Sequence, residues 1–99
     1  MKSRVAVSEM VLATVLGQLR YQLGVRTAKH GQDSFIGPHE TLGILDEEYD
    51  ELRDEVRAND SEGVRRELMD IAVAAVFGIA SRDVHELVGE AVAAAERSA

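Results

Sequence analysis

Apolar residues along this chain recur mostly at spacings of three and four, the period of helices packed on one side. Leu12, Val15, Leu16, Leu19 and Leu23 fall on one face, and Ser8 is suited to cap them, which predicts a first helix from Ser8 to about Leu23. Beyond Gly24 the pattern blurs, and the helix can run on to about Lys29 before Gly31 breaks it. Residues 31–37 read as a loop, with Phe35 and Ile36 available to plug it onto the core. Pro38 suits the first position of a second helix, which runs to about Ala58. Its Leu42, Leu45, Tyr49, Leu52 and Val56 form an apolar stripe. Asn59, Asp60 and Ser61 end that helix and supply a cap for a third, from Glu62 to Ala80. The second half of the third helix, Ile71–Ala80, has no polar side chain. Asp83 with Glu86 has the form of a capping box, opening a fourth helix whose apolar face is Val84, Leu87, Val88 and Val92.

The expectation is an all-α fold: one domain over residues 1–99, an antiparallel bundle of about four helices. The short connection at Asn59–Ser61 makes the second and third helices antiparallel neighbours. A helix apolar all round must be buried on most sides, which is hard to arrange in 99 residues. Completion of the bundle by a second copy, in a homodimer or a higher homo-oligomer, is therefore expected.

Composition narrows the chemistry. Cysteine is absent, so disulfides and thiolate metal sites are excluded. No apolar run approaches eighteen residues, and Glu9 interrupts the N-terminal segment, so neither a membrane span nor a signal peptide is expected. A cytoplasmic location is the default. The formal net charge is −7, and the 11 Lys and Arg residues are scattered. Such a surface repels a polyanion, so nucleic acid is not an expected partner. An anion can still be held where a cation bridges it to the protein.

The acids are concentrated in "LDEEYDELRDEV", Leu45 to Val56, with seven carboxylates in twelve residues. At about 100° per residue, Glu48, Glu51 and Glu55 form a ridge beside the apolar stripe. Glu47 lies further round, and Asp46, Asp50 and Asp54 take the exposed side. Like charges at these steps oppose helix formation by about 0.2–0.5 kcal/mol per pair, and partial burial raises their pKa values unless a cation is present. Asp70 stands at the mouth of the apolar stretch, with Glu67 one turn before it. Glu67 and Asp70 lie nine and twelve residues beyond Ala58, and Glu51 and Glu48 lie seven and ten before it. Across an antiparallel turn the two pairs stand at comparable heights. Four facing carboxylates suit a hard divalent cation, magnesium or manganese rather than zinc. A solvated acidic face is the competing explanation, and acid-rich surface helices are common.

"EEYDE", Glu47 to Glu51, resembles the Glu-Glu-x-x-Glu motif of MazG-like nucleoside triphosphate pyrophosphohydrolases, the all-α NTP pyrophosphatase superfamily. "ELMD", Glu67 to Asp70, resembles its partner Glu-x-x-Asp motif, and the fifteen residues between fit the usual gap. The resemblance spans roughly Leu12 to Ala80. It implies a helical protomer that pairs with another, and magnesium (or manganese) held by Glu48, Glu51, Glu67 and Asp70. It also implies hydrolysis of a nucleoside triphosphate to a monophosphate and pyrophosphate. Glu47 matches the first motif position, whose role is support or general base. Lys29 and Arg57 are the leading candidates for substrate contact, with Arg65, Arg66 and Arg82 behind them. Glu55 lies outside the motif, and either a second cation or solvent suits it. The reading from a different class is a non-catalytic helical interaction protein with an acidic or metal-binding surface.

Overall fold

The structure, a computed structural model, describes residues 3–98. Three α-helices make up its regular structure: α1 (Glu9–His30), α2 (Pro38–Arg57) and α3 (Ser61–Ser98). The chain divides into two compact units, one ending at Gly31 and the other beginning at Gln32.

Helix α1 occupies the first unit. The Ser8 hydroxyl accepts a hydrogen bond from the Val11 backbone N–H at 3.2 Å, satisfying one of the donors that a helix start leaves open. The helix continues past Gly24 to His30. Gly31 stops it at φ 81°, a left-handed conformation that glycine adopts without cost, and its N–H donates to the Thr27 carbonyl at 2.8 Å. Leu19 and Leu23 are half-buried, while Leu12, Val15 and Leu16 are exposed.

The second unit is a helical hairpin. Pro38 opens α2 with its ring pre-set for the first turn, and Glu40 reaches back to accept from the Ile36 N–H at 3.3 Å. The turn after α2 places Asn59 at φ 57°, a region that asparagine tolerates better than most residues. Asp60 then caps α3, its carboxylate accepting from the Gly63 N–H at 3.1 Å. Glu55 lies against Gly63, Glu48 against Glu67 and Asp70, and Thr41 against Gly78. Descending numbers on one helix against ascending numbers on the other give the antiparallel pairing expected.

Two expectations are corrected. The third and fourth helices are one helix of 38 residues, with no break at Ser81–Asp83. That segment has neither glycine nor proline. The Ser81 hydroxyl donates to the Phe77 carbonyl one turn back, at 2.8 Å, and Arg82 pairs with Glu86 one turn on. Asp83 meets Arg82 at 3.0 Å and caps nothing. Counted among the described residues, the helices number three and not four.

The second correction concerns the face of α2. Its half-buried residues are Thr41, Ile44, Leu45, Glu48, Leu52 and Glu55. Leu42, Tyr49 and Val56, expected in the core, are 56%, 55% and 58% exposed. Tyr49 instead carries the Arg53 guanidinium over its ring, 4.8 Å from the centroid. Two carboxylates therefore occupy seam positions where apolar side chains would normally sit.

Of the two residues expected to plug the loop, Phe35 is the one buried. Its ring is buried edge-on against Phe77 at 4.9 Å, and its N–H donates to the buried Ser81 hydroxyl at 3.0 Å. Ile36 points to solvent. Ser34 adds a 2.9 Å hydrogen bond between its hydroxyl and His85 Nε2. No helix of the described residues is long and apolar enough to cross a membrane.

Candidate metal centre

The α2–α3 register brings Glu48, Glu67 and Asp70 together. One oxygen from each lies within 4.8 Å of the others. Glu67 and Asp70 are three apart, so one face of α3 presents both, while Glu48 comes from the seam of α2. Glu67 is 7% exposed, Glu48 is half-buried, and Asp70 is open to solvent. The group thus has a buried floor and an open mouth.

Burial sets the electrostatics. It raises the Glu48 pKa from an ordinary 4.5 to about 7, with the charges of Asp70, Glu51 and Glu67 adding to the shift. Burial also raises Glu67, helped by its closeness to Glu51 and by Asp70. Asp70 is raised by its own desolvation and by Glu51, and Arg66 partly opposes the shift. Among the described residues, Oε2 of Glu48 and Oε2 of Glu67 are buried with no hydrogen-bond partner. A proton on Glu48 supplies a donor toward Glu67, which is one way to settle the pair. A cation is the other.

The donor set fits a hard cation: three carboxylates, with no sulfur or imidazole. Oxygens on opposite sides of magnesium lie about 4.2 Å apart, and across calcium about 4.8 Å. Three oxygens cannot all stand opposite one another on one ion, so a bound magnesium would draw the group closer than the 4.8 Å within which it now lies. The two buried oxygens without donors are the atoms that an ion would satisfy.

The other expected site residues are placed as follows. Glu51 is exposed at the rim, and its charge reaches Glu48, Glu67 and Asp70 without joining the three-oxygen group. Glu47 is exposed on α2, outside that group. Lys29 is exposed in the last turn of α1, and Arg57 is exposed in the last turn of α2. Arg82 is engaged by Asp83 and Glu86. The basic group that stands beside the cluster is Arg66, 3.9 Å from Glu67 and 3.7 Å from Glu55. Glu55, undecided from the sequence, is therefore an ion-pair partner. Helix spacing carried the signal for Arg66, which adjoins Glu67 and precedes Asp70 by four residues.

Elsewhere in this unit an apolar groove of about 580 Å³ runs between the start of α2 and the middle of α3, lined by Phe35, Pro38, Leu42, Leu45 and Ile79 among others. No pattern of residues along the chain marks this groove, because it depends on how the loop seats Phe35. Compared with protein-family models, curated proteins and solved structures, the chain matches none. The fold and site define a small all-helical protein with an acidic, potentially metal-coordinating cluster.

Proposed function

We propose that this chain is a small helical protein that binds a divalent cation through Glu48, Glu67 and Asp70, with Glu51 supplying negative charge at the rim. The observation carrying this reading is the pair of buried carboxylate oxygens left without hydrogen-bond donors. Magnesium and manganese are the ions the oxygen donors suit. Calorimetric titration with magnesium or manganese tests it. Wild type is expected to bind, and Glu67→Gln and Asp70→Asn to lose at least tenfold in affinity. Equal affinity in all three proteins would end this reading.

A hydrolytic use of the ion is the second reading. It is favoured by the two motifs, Glu47–Glu51 and Glu67–Asp70, standing on facing helices at one height. In this reading the protein splits a nucleoside triphosphate into monophosphate and pyrophosphate. The ion, when bound, neutralises phosphate oxygens. In this reading Glu48, Glu67 and Asp70 would hold the ion, and Glu47 would orient the attacking water. Arg57, in the last turn of α2, remains its candidate substrate contact. Pyrophosphate release across a nucleotide panel separates the readings. Turnover that needs the metal and disappears in Glu67→Gln supports hydrolysis. Metal binding without turnover leaves the non-catalytic protein.

Self-association belongs to both readings. Among the described residues, the buried hydrophobic ones are Phe35, Val73 and Ala74, a small core for a chain of this length. A homodimer covering the exposed Leu42, Tyr49 and Val56 supplies what the single chain lacks. A monomer in analytical ultracentrifugation at micromolar concentration would exclude it.

A further inference from the structure

The Arg66 guanidinium is shared between two carboxylates. It lies 3.7 Å from Glu55 and 3.9 Å from Glu67, both longer than a hydrogen bond, so the attraction is coulombic. Its side chain is 60% exposed, whereas that of Glu67 is 9% exposed. Glu55 in turn packs close against Gly63. A Cβ on Gly63 would strike the Glu55 carboxylate, and would lie 2.8 Å from Asp60 Oδ2, so the missing side chain makes the seat that Glu55 occupies. Arg66 also favours the ionised form of Asp70. One largely exposed positive charge thus stands beside the cluster, paired at once with Glu67 and with Glu55.

We infer that Arg66, tethered by Glu55, is the resident counter-ion of the Glu48–Glu67–Asp70 cluster, and that an arriving divalent cation displaces it from Glu67 back onto Glu55. This rests on the cation-binding reading above. The unpartnered Oε2 of Glu67, on a residue 7% exposed, is the atom that the displaced arrangement serves. The guanidinium takes the charge of Glu67 from its Oε1 side and leaves that inner oxygen to the ion. Two neighbouring residues then have opposite effects on affinity. Arg66 competes with the ion, and Glu55 draws the competitor away.

The test is calorimetric titration of magnesium and manganese into wild type, Arg66→Gln, Arg66→Lys, Glu55→Gln and the Arg66→Gln/Glu55→Gln double variant. Arg66→Gln is expected to bind about fivefold to tenfold more tightly at low salt, as loss of a nearby like charge predicts. Arg66→Lys keeps the charge and should stay within about twofold of wild type. Glu55→Gln should bind more weakly, yet have no effect in the Arg66→Gln background, because its influence passes through Arg66. A long-range field effect would instead be additive and would overturn the inference, as would unchanged or weaker binding by Arg66→Gln. Absence of binding by wild type overturns the cation reading and the displacement with it. Binding by wild type with additive variants overturns the displacement alone. Melting in chelator adds a cation-free readout: Arg66→Gln should melt lower than wild type at pH 8, and an unchanged melting temperature counts against the counter-ion role.

Discussion

Glu48→Gln should stabilise the cation-free protein at alkaline pH while weakening its grip on the ion. Glu48 has a pKa of about 7 in the folded chain against an ordinary 4.5. A folded carboxyl that holds its proton more tightly than the unfolded one destabilises the fold wherever both are ionised. Stability is therefore highest below pH 4.5 and declines until the pH passes about 7. Over that window the full shift is worth about 3 kcal/mol. Solvent screening at a half-buried site reduces this to about 1–2 kcal/mol. For a domain of this size that is about 5–10 °C in melting temperature. The assay is thermal melting by circular dichroism in chelator, from pH 5.5 to 8.5. Wild type should lose stability as the pH rises, and Glu48→Gln should lose much less, with the two curves diverging toward pH 8. Saturating magnesium should flatten the wild-type curve, because binding to the folded state adds stability and removes the repulsion. Parallel curves, or a variant less stable than wild type at pH 8, would refute the assignment of Glu48 as a strained seam carboxyl.

Two further predictions concern the hairpin that carries the site. At Gly78 an added Cβ would lie 2.6 Å from Thr41 Cγ2, a short and stiff group, so Gly78→Ala should cost about 1–3 kcal/mol in chemical denaturation. Adding Thr41→Ser removes that methyl and should restore most of the loss; a double variant no better than Gly78→Ala alone would show that the helices are not held apart there. Ser81→Ala leaves the Phe35 N–H without its acceptor and should cost about 1–3 kcal/mol, with faster amide exchange at Phe35. Unchanged exchange would mean that the Ser81 hydrogen bond does not seat the loop.

Helix ends were legible where their chemistry is local. Ser8, Pro38 and Asp60 act through their own side chains on the next turn, and each stands where its residue type predicts. Continuity through Ser81–Asp83 was not legible, because serine and aspartate suit both a cap and a helix interior. What decides between them is tertiary: the Phe35 N–H that Ser81 receives. The face of α2 was misplaced for a related reason. Counting apolar residues selects Leu42, Tyr49 and Val56, but the seam runs through Glu48 and Glu55, which no hydrophobic count would choose. The acidic cluster was legible through arithmetic across a three-residue turn, since residue heights on an antiparallel pair follow from spacing alone. Depth was not: the ridge expected beside the apolar stripe has Glu48 half-buried and Glu51 exposed at the rim.

Carboxylates at seam positions call for a reason beyond the fold. Where local pattern and global structure conflict, function is the usual cause. Glu48 and Glu67 face each other where a pair of leucines would close the hairpin. A leucine buried there adds about 1.5–3 kcal/mol, and replacing buried charges with packed apolar groups is often stabilising by about 1–4 kcal/mol. The double variant Glu48→Leu/Glu67→Leu should therefore melt higher than wild type in chelator and lose all response to magnesium. The opposite result, a lower melting temperature with native helicity, would mean that the two carboxyls are a structural pair sharing a proton. In that case Glu48 and Glu67 are there for the fold, and the ion is not what selected them.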